Sequence, residues 1–509
     1  MNPFELIALV PLLPLLAALL IVVLHLTGVA RGESGEPLTA RITLAAGGFG
    51  FLLLLGLAVF ALFTAAPGQI RLGNWFSSGD LKLPLSFTLD ALSLGFGALV
   101  SFIALVTLKF SINYLHREAG FHRFFIGINL FIAGMLLIIL AGNAGLAFVG
   151  WELAGLSSWM LIGYAYERET ASLNAQRAFL SNRIGDVGFL LGIALSFLWL
   201  GSLDWAQMSA GAADLPLLYV GLILLGFVSA ALVKSAQVPF SPWIARALEG
   251  PTPSSAIFYG AVMVHAGVYL LIRLEPMLWL APGMMSMIAV FGLLTALYGW
   301  IVGYVQTDVK SSLLFATLTQ VGLMFLACGL GWFELAAWHM ALHATWRAWQ
   351  FLAAPSYMHF LNAATPPAPA WLTRFPRLYT AALQRFWLEI LADRLFTRPT
   401  QALARDMRSL DDHVVSRLLG MPEAERAATL LDQNQASTAV VIGRGAAGNL
   451  LIWVADRLGA FEQRLVLQGN GKLGDALQQL GDWLKWVDSL LEQPRYLLLM
   501  IMATLVVIL

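Results

Sequence analysis

Charge is what this 509-residue sequence has least of: Asp, Glu, Lys and Arg make up 12% of it, against 59% hydrophobic residues, where soluble domains average roughly 25% charged. That scarcity excludes an ordinary soluble enzyme and points to a membrane protein. Thirty basic residues balance thirty acidic ones, which argues against a polyanion-binding surface, so nucleic acid is not an expected partner. The one cysteine, Cys328, excludes a disulfide framework. It also excludes an iron–sulfur cluster or a thiolate-rich zinc site built from this chain alone. The opening MNPFE lacks the basic n-region of a cleaved signal, so the first apolar segment is expected to stay.

What is present is a series of apolar runs long enough to cross a hydrocarbon core of about 30 Å. They fall at 5–27, 43–66, 88–113, 124–142, 144–165, 177–200, 215–236, 254–274, 283–304, 309–330 and 333–360. A shorter run, 496–509, is expected to be a further span by local thinning or packing, which gives an all-α polytopic membrane protein of about twelve helices. Basic residues mark the sides. Arg31, Arg41, Arg117, Arg123, Arg168, Arg177, Arg246 and Lys310 follow odd-numbered spans, and little beyond Arg71, Lys82 and Arg273 follows even ones. The positive-inside rule then puts the N-terminus outside, in a bacterial cell the periplasm, and segment 361–495 in the cytoplasm.

Composition divides the chain into a transmembrane domain over 1–360, a charged segment over 361–495 and a last helix over 496–509. The middle segment opens on TPPAPA, and Trp387, Ile390, Leu391, Leu395 and Phe396 recur at roughly helical spacing between its charges. Such a pattern fits a solvated helical tail, a surface docking another protein, or a helix lying along the membrane domain.

Ionisable groups at membrane depth cost a few kcal/mol unless paired or hydrated, so their presence needs a reason. Glu152, in GWELAGLSSWMLIGY, lies in the fifth span with no charge within a turn of it. Lys234, in SAALVKSAQVPFSPW, closes an apolar seventh span just before Pro239 and Pro242, prolines that an unbroken helix does not accommodate. The seventh helix is therefore expected to break beside its lysine, as helices do at ion sites. Burial disfavours the charged form of an amine or a carboxylate and pairing favours it, so approach and separation of Glu152 and Lys234 can switch a proton. A static buried ion pair is the alternative.

The eleventh span carries His339, His343 and Arg347 at i, i+4 and i+8, one helix face. Imidazoles can pass protons along such a stripe, or two of them one turn apart can hold zinc, although Arg347 would repel the cation. His265 in the eighth span is either a hydrogen-bonded core residue or a member of the same relay. Arg183 and Asp186, three apart in the sixth span, are placed to neutralise each other. Lys310, at the start of the tenth span, is either a snorkelling anchor or a proton gate.

WELAGLSSWMLIGY, AFLSNRIGDVGFLLG, KSAQVPFSPWIARALEGPTPSSA, TDVKSSLLFATLTQVGLMFLA and HMALHATWRAWQFL resemble, in order and spacing over about residues 85–355, the antiporter-like membrane subunits of respiratory complex I, subunit L in particular, and of Mrp-type cation antiporters. The resemblance implies two inverted five-helix repeats, each with a broken helix, and proton-translocating roles for Glu152, Lys234, His339 and His343. It also implies that no active site, cofactor or metal belongs to this chain itself.

The sequence departs from that pattern after the eleventh span, where FLAAPSYMHFLNAATPPAPAWLTRFPRL offers no second broken helix with its lysine, so the second repeat is expected to be truncated. Arg347 stands where relatives place a lysine, and Tyr259 where a histidine often follows GPTPxSA. With GPTPSSAIFYGAVMVHAG, these departures resemble the shortened DabB branch of the family, membrane subunits of inorganic carbon accumulation complexes. That resemblance implies a large cytoplasmic DabA-like partner related to carbonic anhydrase, with zinc in the partner, where cation flow drives carbon dioxide to bicarbonate. The other readings are a pump module of a redox complex such as NADH-quinone oxidoreductase or a membrane hydrogenase, an Mrp-type antiporter, and a non-conducting anchor.

Overall fold

A computed structural model of the chain describes residues 3–410 apart from 65, 79–80, 262 and 361–366. A 3₁₀ turn, Pro3–Ala8, leads into α1 (Leu9–Leu26) and α2 (Gly32–Phe63), followed by an antiparallel pair, β1 (Gly68–Ser78) and β2 (Leu81–Leu89). Then come α3 (Ala91–Tyr114), α4 (Phe121–Leu140), α5 (Ala144–Ile162), α6 (Glu169–Leu200), α7 (Trp205–Ala212) and α8 (Leu217–Lys234). Short pieces follow, α9 (Pro242–Arg246), α10 (Thr252–Ser255), a π-helical turn at Ala256–Ala261, α11 (Ala266–Arg273) and α12 (Glu275–Leu278). Three long helices, α13 (Pro282–Gly303), α14 (Val309–Gly329) and α15 (Phe333–Phe360), complete the bundle.

Nine helices among the described residues are long and apolar enough to cross a membrane. Two of the eleven expected spans are not among them. The eighth, read as one run over 254–274, is interrupted by the π turn, and the eleventh is long but polar in the middle. The connection between the second and third expected spans, with the first two residues of the third, is a hairpin over 68–89, so the chain is mostly rather than wholly helical. It has a physical cause: the end of the bundle leaves polar groups that the hairpin satisfies, the Gly142 backbone N–H donating to Ser86 O at 2.8 Å and the Asn143 side-chain Nδ2 to Pro84 O at 2.8 Å. The last apolar run, 496–509, lies outside the described residues.

α4 runs through the centre, its Phe121, Phe124, Phe125, Ile128 and Phe131 all buried. The periphery is apolar too, with Leu62 81% and Phe63 83% exposed at the end of α2, the inversion expected where the solvent is lipid. Small residues let backbones meet: a Cβ on Gly134 would lie 2.8 Å from Gly150 O, and one on Gly322 would lie 2.7 Å from Gly292 O. These are the close seams membrane helices use in place of a hydrophobic drive.

After α15, residues 370–397 form a strap of short helices, α16 (Ala370–Thr373), α17 (Pro376–Leu383) and α18 (Leu388–Ala392), with a π turn at Asp393–Thr397. The strap belongs to the same compact unit as the bundle. Trp371 stacks on Trp300 at 5.2 Å, Phe386 meets the Tyr298 ring at 6.0 Å, and Asp393 lies 3.8 Å from Arg177. Of the readings open for this segment, residues 370–397 lie along the membrane domain. The helical spacing expected at Trp387 is interrupted, because Arg385, Phe386 and Trp387 all take left-handed φ values of 49° to 54°. Ile390, Leu391 and Leu395 face outward. A second compact unit begins at Arg398 with α19 (Arg398–Leu410).

Candidate functional site

The break after Lys234 forms as the prolines require. α8 ends at the lysine, Ala236 turns to φ 53°, Val238–Pro239 is cis, and the helix resumes as α9 from Pro242. The freed groups are met from outside, Trp243 Nε1 donating to Val233 O at 2.8 Å and Val238 N–H to Thr295 Oγ1 at 2.9 Å. Lys234 itself is 1% exposed. Its Nζ donates to Trp151 O at 3.1 Å and sits 5.2 Å from the centre of the Trp151 ring, so it is held by the residue before Glu152 rather than by the carboxylate.

Glu152 instead pairs with Arg183 of α6, and Arg183 also reaches Asp186 at 2.8 Å. Mutual neutralisation of Arg183 and Asp186 is as expected from their spacing. The sequence reading missed that the same guanidinium crosses to α5 and takes the carboxylate expected to face Lys234. Among the described residues Lys234 has no carboxylate within 4.0 Å. Among the described residues, Glu152 Oε1 and Asp186 Oδ1 are buried without a hydrogen-bond donor. Gly155, also passed over in the sequence, floors the cluster: a Cβ there would lie 3.0 Å from Arg183 Nη2 and 3.5 Å from Lys234 Nζ. Two cations can share this space because α5 carries no side chain at that point.

A second cluster lies where the π turn meets α15. Gly260 sits so close that a Cβ on it would stand 2.5 Å from Ala348 Cα, and this approach brings His265, at the start of α11, to His343. Their Nε2 and Nδ1 atoms are 2.9 Å apart, and Arg347 Nε points to His343 Nε2 at 3.4 Å. His339 is placed apart from this bond: its Nε2 meets Gln320 Oε1 of α14 at 2.8 Å, with its ring 6.3 Å from that of His343. The two histidines expected as one stripe thus engage different partners. Among the described residues no three His, Cys, Asp or Glu side chains gather as metal ligands would. Tyr259, in place of the family's histidine, is buried and donates to Ile244 O at 2.9 Å.

Lys310 opens α14, whose first turn is capped by Asp308 accepting from Ser311 N–H at 2.8 Å. It lines a polar cavity of about 670 Å³ with Arg168, Arg246 and Glu249, and the strap closes one wall with Arg385 and Glu389. Arg246 pairs with Glu389, and Arg168 with Glu249.

These features make a helical domain of membrane type, with one helix broken beside a buried lysine and carboxylates on the neighbouring α5 and α6. The family described as NADH:quinone oxidoreductase/Mrp antiporter, transmembrane region, matches residues 141–365, and that described as NADH-ubiquinone oxidoreductase (complex I), chain 5 N-terminus, matches residues 75–125. Over those residues the chain matches the family of complex I subunit L and Mrp antiporter membrane subunits. It is 37% identical over 334 residues to NADH-quinone oxidoreductase subunit L of Mycobacterium tuberculosis (strain ATCC 25618 / H37Rv), a match over 64% of this chain and 52% of that one. In structure it is similar to a chain of the Mrp complex from Dietzia sp. DQ12-45-1b, with a TM-score of 0.59 and 27% identity over 69% of this chain and 37% of the other. A chain of the archaeal membrane-bound sulfane sulfur reductase shares the fold, with a TM-score of 0.59 and 21% identity over 70% and 57% of the two chains. The chain spans about half the length of the curated relatives it matches.

Proposed function

We propose that the chain translocates protons as the antiporter-like subunit of a multi-subunit membrane complex of the complex I or Mrp type. The observation that carries this reading is Lys234, fully buried at a helix break beside two carboxylates and a competing guanidinium. When Glu152 is held by Arg183, the lysine keeps only a carbonyl and a ring face. When Glu152 swings to the lysine, the charged amine is favoured. Exchange of one carboxylate between two cations is thus a way to load and unload a proton at Lys234. The bond between His265 and His343 offers a further hop through neutral imidazoles, in which one ring nitrogen donates as the other accepts. The cavity beside Lys310 is the mouth on the side expected to be cytoplasmic.

A narrower reading is that the complex accumulates inorganic carbon, proton flow driving hydration in a DabA-like partner that holds zinc. It rests on the sequence resemblance and is supported by the strap, where residues 370–397 form helices of no more than eight residues in place of a further span. Both readings are tested by purifying the native complex, identifying the copurified subunits and following proton flux into vesicles with a pH dye. The general reading expects flux that Lys234→Met abolishes, and flux unaffected by that change overturns it. A zinc-bearing partner would select the narrower reading, and NADH- or quinone-reactive subunits would remove it.

A further inference from the structure

At the end of the bundle that carries the β-hairpin, basic side chains are rare, and two of them share one cavity. The hairpin, the 141–143 turn and the start of α7 are tied together there by Trp205 Nε1 donating to Ala141 O at 2.9 Å and by the Asn143–Asp204 bridge. Arg273, also at this end, is taken up by Asp90 and by Tyr269 Oη at 2.7 Å. Arg71 and Lys82 are in no ion pair among the described residues, and both line a cavity of about 350 Å³ with Gln69, Ser202, Asp204 and Gln207.

The donors there outnumber the acceptors. Asp204 is already occupied, accepting from Gln69 Nε2, from Ala206 N–H at 3.1 Å and from Gln207 N–H at 3.3 Å. Arg71 gives one N–H to Asn74 Oδ1 at 2.5 Å and keeps the rest of its fork, and Lys82 keeps its ammonium. Two cations against one capped carboxylate leave the cavity net positive, and its volume exceeds several times the roughly 30 Å³ share of a water molecule. The rim is apolar. Phe197 lines the cavity, Leu198 beside it is 69% exposed, and the hairpin exposes Leu72, Trp75 and Phe76, side chains suited to the headgroup region of a bilayer.

We propose that this cavity binds a phosphate oxyanion and that the occupant is the headgroup of an anionic phospholipid, its acyl chains lying along the outward face of α6. A guanidinium fork suits phosphate geometry. A free oxyanion would gain from the two cations alone, whereas a lipid gains from the cations and from the exposed apolar face of α6 together.

The test uses the full chain in nanodiscs, with lipids retained after release read by native mass spectrometry. The wild type is expected to keep phosphatidylglycerol over phosphatidylcholine, with the preference falling on the order of five-fold for each cation removed in Arg71→Gln and Lys82→Gln. Both side chains are exposed, so these variants should retain wild-type circular dichroism, and Lys82→Gln alone gives the intermediate value if the double variant does not fold. Arg374→Gln/Arg377→Gln, on the strap, should leave the preference unchanged. Equal retention of the two lipids by the wild type, a preference that survives the double variant, or an equal loss in the strap variant overturns the proposal. Calorimetric binding of inorganic phosphate that depends on Arg71 and Lys82, without lipid preference, would assign the cavity to a free oxyanion and overturn the lipid as its source.

Discussion

The two buried polar clusters solve the same problem by opposite means. Around Lys234, on α5, α6 and α8, two carboxylates face an amine and a guanidinium, and charge is balanced by charge. Around His343, on α15 and at the start of α11, two imidazoles and an arginine meet by hydrogen bonds. The first arrangement can store a proton as a change of ion-pair partner. The second joins ring nitrogens in line, an arrangement that passes a proton along. A store and a conductor are expected to fail differently when cut.

The largest effect is expected in the store. Glu152→Gln and Lys234→Met should each reduce proton flux at least on the order of a hundred-fold, while the complex still assembles, since each removes a protonation state at little change in volume. Near-normal flux in both would reduce the cluster to a static support. In the conductor, His265→Ala and His343→Ala should each lower flux roughly ten-fold, and the double variant no further, because both remove one hydrogen bond. Additive losses would mean that the two act separately. Gly155→Ala is expected to slow flux a few-fold, on the order of the effect of one crowded contact. The added methyl would have to displace Arg183 Nη2 by a few tenths of an ångström, and an unchanged rate would show that the cluster has slack.

The smallest effect is expected outside both clusters, at Asp90. It caps α3 through Ser93 N–H at 2.8 Å and pairs with Arg273. Burial raises its pKa, but the Arg273 hydrogen bond and charge, with the Ser93 bonds, outweigh that and hold it below the ordinary carboxylate value. With the folded value depressed, the stabilisation is present above the unfolded pKa and is lost as pH falls through the folded one. Thermal stability of the wild type should therefore drop in acid more steeply than that of Asp90→Asn, and parallel profiles would refute the assignment.

Much of this was legible in the sequence because membranes impose strict periodic demands. The spans, the break at Pro239 and the Arg183–Asp186 pair follow from run length, proline chemistry and local spacing. The bond from Arg183 to Glu152 joins residues 31 apart, and that from His265 to His343 joins residues 78 apart, and no local pattern carries such pairings. The break in the eighth span is hidden for another reason: it is a π turn with no proline inside it, made possible by Gly260 against α15. The hairpin left one legible mark, the strict apolar–polar alternation of Leu81–Leu89, but β1 alternates weakly, and the hairpin's partners are the ends of helices far along the chain.

The glycine seams bear on how the molecule is built. Helices joined by a short turn and closed on a glycine contact, α4 with α5 and α13 with α14, can leave the insertion machinery as finished pairs needing nothing from the rest of the chain. α8 cannot, since Lys234 is costly in lipid until the Trp151 carbonyl of α5 is there to receive it. The lysine therefore sets an order of assembly: the pair that holds Glu152 goes first, and the helix with the buried cation is accepted only by a bundle already able to use it.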